Sequence, residues 1–113
     1  MATQNRTTDR HNALIASGVV GFALNKLPGE ILTDTRGNKD IASARQVAMY
    51  LAYVGFGMSL SRVAYAFGRD RSTVAHACHV IEDRRDDLGF DSWLDGLEEV
   101  LKQLAPLCER KCA

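Results

Sequence analysis

The chain is short of the residues that build specialised scaffolds. Three cysteines among 113 residues are too few for a disulfide framework, and in a reducing compartment they remain thiols. No C-x-x-C pairing supports a zinc site assembled from His76, His79, Cys108 and Cys112. Cys78 reads instead as a small apolar core residue. No apolar run approaches the roughly 20 residues that span a bilayer, which excludes a helical membrane protein. Residues 1–10 are polar and lack the apolar core of a signal peptide, so the expected location is cytoplasmic. There is no G-x-x-x-x-G-K-[ST] loop to cradle a nucleotide. No nucleophile or metal motif accompanies His76, His79, Asp70 and Asp83, so no catalytic constellation, metal site or cofactor is expected.

Charge of one sign is also lacking: 14 basic side chains balance 14 acidic ones. The distribution, however, is uneven. Residues 41–81 hold Arg45, Arg62, Arg69 and Arg71 against Asp70 alone, a balance of +3. Residues 82–113 hold nine acidic and five basic side chains, a balance of −4. A cationic segment inside a neutral chain is the footprint of a nucleic-acid reader. Three charges imply modest affinity with a shallow salt dependence. The mixed run Glu82-Asp83-Arg84-Arg85-Asp86-Asp87 reads as a solvated helix end.

What is present is an ordinary globular composition, 46% apolar and 25% charged, at a length that suits one domain. Every segment carries the helical period, so the expected fold is an all-α, single-domain helical bundle. Residues 1–11 are expected to form a flexible arm, 12–105 the domain and 106–113 a tail. The first helix is placed over 12–27, with Leu14, Ile15, Val19, Phe22, Ala23 and Leu27 on its apolar face and Pro28-Gly29 ending it. Residues 30–40 read as a polar connector. A second helix over 43–54 buries Val47, Leu51 and Val54, and Gly55-Phe56-Gly57 breaks it.

The next two segments carry the sharpest signal. Ser59 can cap a short helix whose Leu60, Val63, Ala64 and Phe67 fall at i, i+3, i+4 and i+7, and Gly68 is placed to end it in a left-handed turn. A further helix starts at Asp70 or Arg71 and buries Val74, Ala77, Cys78 and Ile81. Its other face carries Ser72, Ala75, His76 and His79. Two helices joined by so tight a turn read as a helix-turn-helix, whose second helix enters the DNA major groove; with the family resemblance given below, the expected class is Trp-repressor-like. A last helix over 91–105, with Trp93, Leu94, Leu97, Val100, Leu101 and Leu104, closes the core.

These residues also resemble a known family. Ala44-Arg45-Gln46-Val47-Ala48-Met49-Tyr50-Leu51-Ala52, then residues 59–67, then Gly68-Arg69-Asp70-Arg71-Ser72-Thr73-Val74-Ala75-His76-Ala77 are similar to three consecutive patterns. Those are A-R-Q-x-A-M-x-L-A, S-L-x-x-I/V-x-x-A-F and G-R-D-H-[ST]-T-V-x-H-A of the C-terminal DNA-binding domain of DnaA, the bacterial chromosomal replication initiator. The likeness is strong over 41–84 and weaker over 13–40 and 88–104. It implies double-stranded DNA as partner, with Arg45 in the minor groove. Arg71, Ser72, Thr73 and Asp70 would face base edges, and Arg69 and His76 would contact phosphate; Arg62, a cation that this chain adds to the pattern, is expected to contact phosphate as well. An Arg in the first turn of a helix opposes the macrodipole, which a DNA partner would offset.

The chain departs from the family pattern in four places. One glycine rather than two precedes Arg69, and Arg71 replaces a His. His79-Val80 replaces a basic pair, and Arg62 replaces the Glu of a capping box. With no ATPase motif, the resemblance implies a DNA reader without the initiator's motor, acting in transcription or in replication initiation and nucleoid-associated. The competing reading is a protein-interaction module that keeps the fold and has lost most DNA binding. Its support is the neutral charge, His79-Val80 and the apolar turn Val54-Gly55-Phe56-Gly57-Met58. Nothing in the sequence defines a homodimer face or a protein partner.

Overall fold

In the computed structural model, backbone is described for residues 2–32 and 39–112, and side chains for 6–32 and 39–104. The connector residues Arg36, Gly37 and Asn38 and the side chains of Cys108 and Cys112 lie outside that range. The described residues form six helices and the turns between them: α1 (Ala2–Leu24), α2 (Pro28–Leu32), α3 (Lys39–Gly55), α4 (Leu60–Phe67), α5 (Arg71–Arg84) and α6 (Leu88–Cys112). No strand is present among them. The expectation of an all-α fold is met.

α3 is the centre of the molecule. Ala44, Val47, Ala48, Met49, Tyr50, Leu51 and Ala52 are all buried, so it is apolar nearly all round, as a helix covered on several sides must be. α1, α5 and α6 pack around it. From α4 come Val63 and Phe67, from α5 Val74 and Ile81, and from α6 Leu94 and Leu101, each almost without solvent exposure. The i, i+3, i+4, i+7 stripes expected of α4 and α5 are the buried faces observed, save for Leu60, which stays partly exposed.

α1 departs from expectation twice. It begins at Ala2, so the described part of the expected arm is helix. What holds it is Asp9, only 2% exposed and ion-paired to Arg62 of α4. Its buried face is also a different one: Asp9, Asn12, Ala13, Ala16, Ser17 and Val20 face inward, whereas Leu14 is 51% and Phe22 92% exposed. Small side chains let α1 approach α3 and α4 closely, and the bulky ones are left on the rim. Asn25 in the left-handed region (φ 59°) ends the helix, and the Lys26 N–H donates to the Gly21 carbonyl at 2.7 Å. That reversal is possible because Gly21 has no β-carbon. One added there would stand 2.4 Å from the Lys26 carbonyl oxygen.

The expected polar connector contains α2, a single turn with Ile31 fully buried. Pro28 suits its first position, and Glu30 closes half of a capping box by accepting the Leu27 N–H at 3.0 Å. α3 starts at Lys39 rather than Ser43, which moves Arg45 out of the first turn and removes the macrodipole argument for it. α6 continues to Cys112, through most of the expected tail. The apolar turn after α3 is folded inward: Met58 is 2% exposed and packs in the core, with Val54 and Phe56 against it.

Gly21→Ala should lower the unfolding free energy by about 1–3 kcal/mol, because the clash is with backbone that cannot move aside. Gly18→Ala, where an added β-carbon meets nothing within 4 Å, should be neutral or stabilising by up to about 1 kcal/mol. Urea denaturation of both variants checks the pair, and equal midpoints would contradict the close approach.

Candidate nucleic-acid interface

The unit that presents the candidate residues is α4, a three-residue turn and α5. Ser59 caps α4 by accepting the Arg62 N–H at 3.2 Å. Gly68, left-handed at φ 65° and ψ 38°, closes it. The Gly68 N–H donates to the Tyr65 carbonyl at 3.2 Å and the Arg69 N–H to the Ala64 carbonyl at 2.9 Å, a Schellman arrangement. Asp70 is the N-cap of α5, yet its carboxylate makes no hydrogen bond to the helix amides. Capping therefore does not occupy it.

From that point Asp70, Arg71, Ser72, Thr73 and His76 are exposed and Arg69 is half-buried, while Val74, Ala77, Cys78 and Ile81 beneath them are buried. Ser72 and His76 stand one turn apart on the same side. The first two turns of α5 thus form a polar ridge with hydrogen-bonding groups of both signs, fixed on an apolar base. Burial pushes the Cys78 thiol up to about 11, so it is a neutral packing group. His79, farther along, pairs with Asp83 at 3.6 Å.

Two of the expected cations lie elsewhere. Arg45 is 7% exposed, and its Nε donates to the Ile31 carbonyl at 2.8 Å and its Nη2 to the Glu30 carbonyl at 3.4 Å. It ties α3 to the C-terminal carbonyls of α2. Arg62 grips Asp9 bidentately, Nη2 to Oδ1 at 2.6 Å and Nε to Oδ2 at 3.0 Å. This pairing raises the Arg62 pKa, the hydrogen bond outweighing partial burial. Both arginines serve the fold in this state, which the motif positions alone do not reveal.

The mixed-charge run at the end of α5 is not merely solvated either. Arg85 is a hub whose side chain is only 19% exposed. It donates to Asp91, to Asp95, to Glu98 at 3.0 Å and to the Tyr50 hydroxyl at 3.0 Å. Burial opposes its charge, but the hydrogen bonds it donates to Asp91, Tyr50 and Glu98 outweigh that and raise its pKa. The Tyr50 hydroxyl in turn donates to Glu82. Arg84 lies over the Phe90 ring, 4.0 Å from its centroid. These contacts clamp the end of α5 to α3 and α6, so the ridge at its start is carried by a helix anchored at both ends. Nothing in a run of mixed charge marks which arginine turns inward.

At the other end of the unit, the first turns of α1 lie along α4. The Arg6 guanidinium is 4.6 Å and that of Arg10 5.6 Å from the Tyr65 ring centroid. Arg10 Nη2 also donates to the Tyr65 hydroxyl at 3.1 Å. Reading residues 1–11 as an arm hides this cluster; the signal that would find it is Asp9 in phase with Asn12, Ala13 and Ala16.

A short helix, a three-residue turn closed by a left-handed glycine, and a second helix with an exposed polar start define a helix-turn-helix protein. The sequence profile described as "Bacterial dnaA protein helix-turn-helix" matches residues 23–81. The chain belongs to the bacterial DnaA helix-turn-helix family. It is 38% identical over 81 residues to chromosomal replication initiator protein DnaA 2 of Chlamydia pneumoniae, a match covering 69% of this chain and 16% of that protein. It is 50% identical over 50 residues to DnaA of Laribacter hongkongensis, covering 43% of this chain and 10% of that one. A crystal structure of a DNA replication initiation factor superposes with a TM-score of 0.76 at 30% identity, over 86% of this chain and 30% of that one. A replication initiator DnaA bound to AMPPCP and single-stranded DNA superposes at 0.73 with 28% identity, with the same coverage. The chain therefore spans about a sixth or less of the curated relatives it matches.

Removing Arg62 leaves Asp9 buried without its partner. Arg62→Ala should destabilise the fold by about 3 kcal/mol, read by urea denaturation, and Asp9→Leu with Arg62→Leu should recover much of that loss. A single variant within experimental error of the parent would refute a structural role for the pair. Burial, aided by the hydrogen bond to Glu82, pushes the Tyr50 phenol from 10.0 up to about 12. A raised pKa means that the fold favours the neutral phenol. Its contribution is complete below pH 10 and lost as pH rises through 12. Ultraviolet difference titration of the parent against Tyr50→Phe should resolve a phenol ionising near 12; a difference step near 10 would contradict the clamp.

Proposed function

We propose that this chain binds double-stranded DNA with sequence preference, laying the start of α5 in the major groove. The observation that carries this reading is the exposed ridge of Asp70, Arg71, Ser72, Thr73 and His76 above a buried stripe, at the positions of the family's recognition motif. Arg71 can grip guanine through two hydrogen bonds, Asp70 can accept from cytosine, and Ser72 and Thr73 can bond a base or touch a thymine methyl. Arg69 and His76 set register on phosphate. Arg62 is 45% exposed, so it can touch phosphate from its outer side, but its ion pair with Asp9 leaves it little net charge to offer there. Arg45 reaches a minor groove only by exchanging the Glu30 and Ile31 carbonyls for DNA acceptors, so its role there is coupled to the α2–α3 junction.

The reading makes the protein a binding module rather than a catalyst, located with the nucleoid in the cytoplasm. It would regulate transcription or modulate replication initiation. Protein interaction draws on a separate observation, an apolar groove of about 680 Å³ between α1 and α6 lined by Ile15, Val19, Phe22, Trp93, Leu97 and Leu104. The groove involves none of the residues of the α5 ridge. The apolar turn of residues 54–58, which favoured interaction on sequence grounds, is packed inward.

Selection from a random duplex library tests the reading. A short enriched motif is expected, and Arg71→Ala should lose about 1–3 kcal/mol of binding and relax one base position. A uniform loss across all sequences would remove Arg71 from base readout. No binding at low salt would favour the interaction module.

A further inference from the structure

We infer that Arg6 and Arg10 of α1 are phosphate-binding residues that extend the duplex-binding surface from α5 across α4 to the first turns of α1. The inference rests on the reading of α5 as the groove-facing helix. In that docking mode the first helix of the unit crosses the sugar–phosphate backbone. Here α4 supplies little free charge for that task. Arg62 is its one cationic side chain, and Asp9 neutralises it. With Arg45 buried as well, the +3 balance of residues 41–81 leaves Arg69 and Arg71 against Asp70, a balance of +1.

Arg6 and Arg10 restore what those two arginines withdraw. Both are exposed, both lie over the Tyr65 ring, and Tyr65 itself is 43% exposed on the outer side of α4. A guanidinium over an aromatic face can still offer its N–H edge to phosphate; Arg10 spends one N–H on the Tyr65 hydroxyl at 3.1 Å. The acid in the same turns, Asp9, is turned inward at 2% exposure. The helix therefore sorts its charges, with the carboxylate buried on Arg62 and the two guanidinium groups at the surface one turn apart. That arrangement suits an extended polyanion better than a single acidic side chain.

The test is the salt dependence of duplex binding by the 113-residue chain and its variants. Arg6→Gln with Arg10→Gln should flatten the slope of log Kobs against log salt by about 1.8, from a value near 0.9 per phosphate contact. The enriched base motif should stay the same. Arg6→Lys with Arg10→Lys should restore the slope, because charge and not stacking sets it. Tyr65→Phe should also leave it unchanged. Far-UV dichroism and the urea midpoint verify that α1 stays folded, since Asp9 and Arg62 are intact in every variant. An unchanged slope in the glutamine variant of a duplex-binding parent overturns this inference alone. A parent that binds no duplex overturns the α5 reading and this one with it.

Discussion

Three residues separate Phe67 from Arg71, and the left-handed conformation of Gly68 is what lets so short a link redirect the chain. At φ 65° and ψ 38° a β-carbon would cost roughly 1–2 kcal/mol, and the two amide bonds that close α4 both depend on this geometry. The turn fixes where α5 begins. The buried Val74, Ala77, Cys78 and Ile81 then fix its rotation, and Arg85 fixes its far end through Tyr50, Asp91, Asp95 and Glu98. With start, rotation and end all constrained, Asp70, Arg71, Ser72 and Thr73 can face one way only. Base readout needs such pre-organisation, because a side chain that must first be ordered loses affinity for every base alike.

The arginines divide by what surrounds them rather than by their place in a motif. Arg45 is held by backbone carbonyls, Arg62 by a buried carboxylate, and Arg85 by three carboxylates and a phenol. Arg71 stays exposed on the ridge, and Arg6 and Arg10 lie over Tyr65. A neutral chain thus carries an outward cationic strip because its acids lie elsewhere, Asp9 buried on Arg62 and Asp91, Asp95 and Glu98 gathered on Arg85. Net charge says little about a surface when one partner of each pair is buried.

Much of this was legible in the sequence where period and punctuation agree. The amphipathic stripes of α4 and α5, the Ser59 cap and the Gly68 stop follow from spacing and residue type, and the structure repeats them. α1 was not legible, because its core face is built from Ala13, Ala16, Ser17 and Val20, while Leu14 and Phe22 are exposed. A periodicity search weighted by hydrophobicity follows the large residues, and close helix packing prefers the small ones. α2 was missed because a single turn has no period, although Leu27-Pro28-Gly29-Glu30 carries its cap. The partners of Arg45 and Arg62 lie 14 and 53 residues away along the chain, beyond the reach of any local pattern.

The most direct test of the account is to map the duplex onto the protein by amide chemical-shift changes at low salt. The account predicts that perturbed amides centre on Arg69 to His76, extend along α4, and spare the groove between α1 and α6. Perturbations centred on that groove, or none at all, would contradict the claim that the start of α5 is the reading surface.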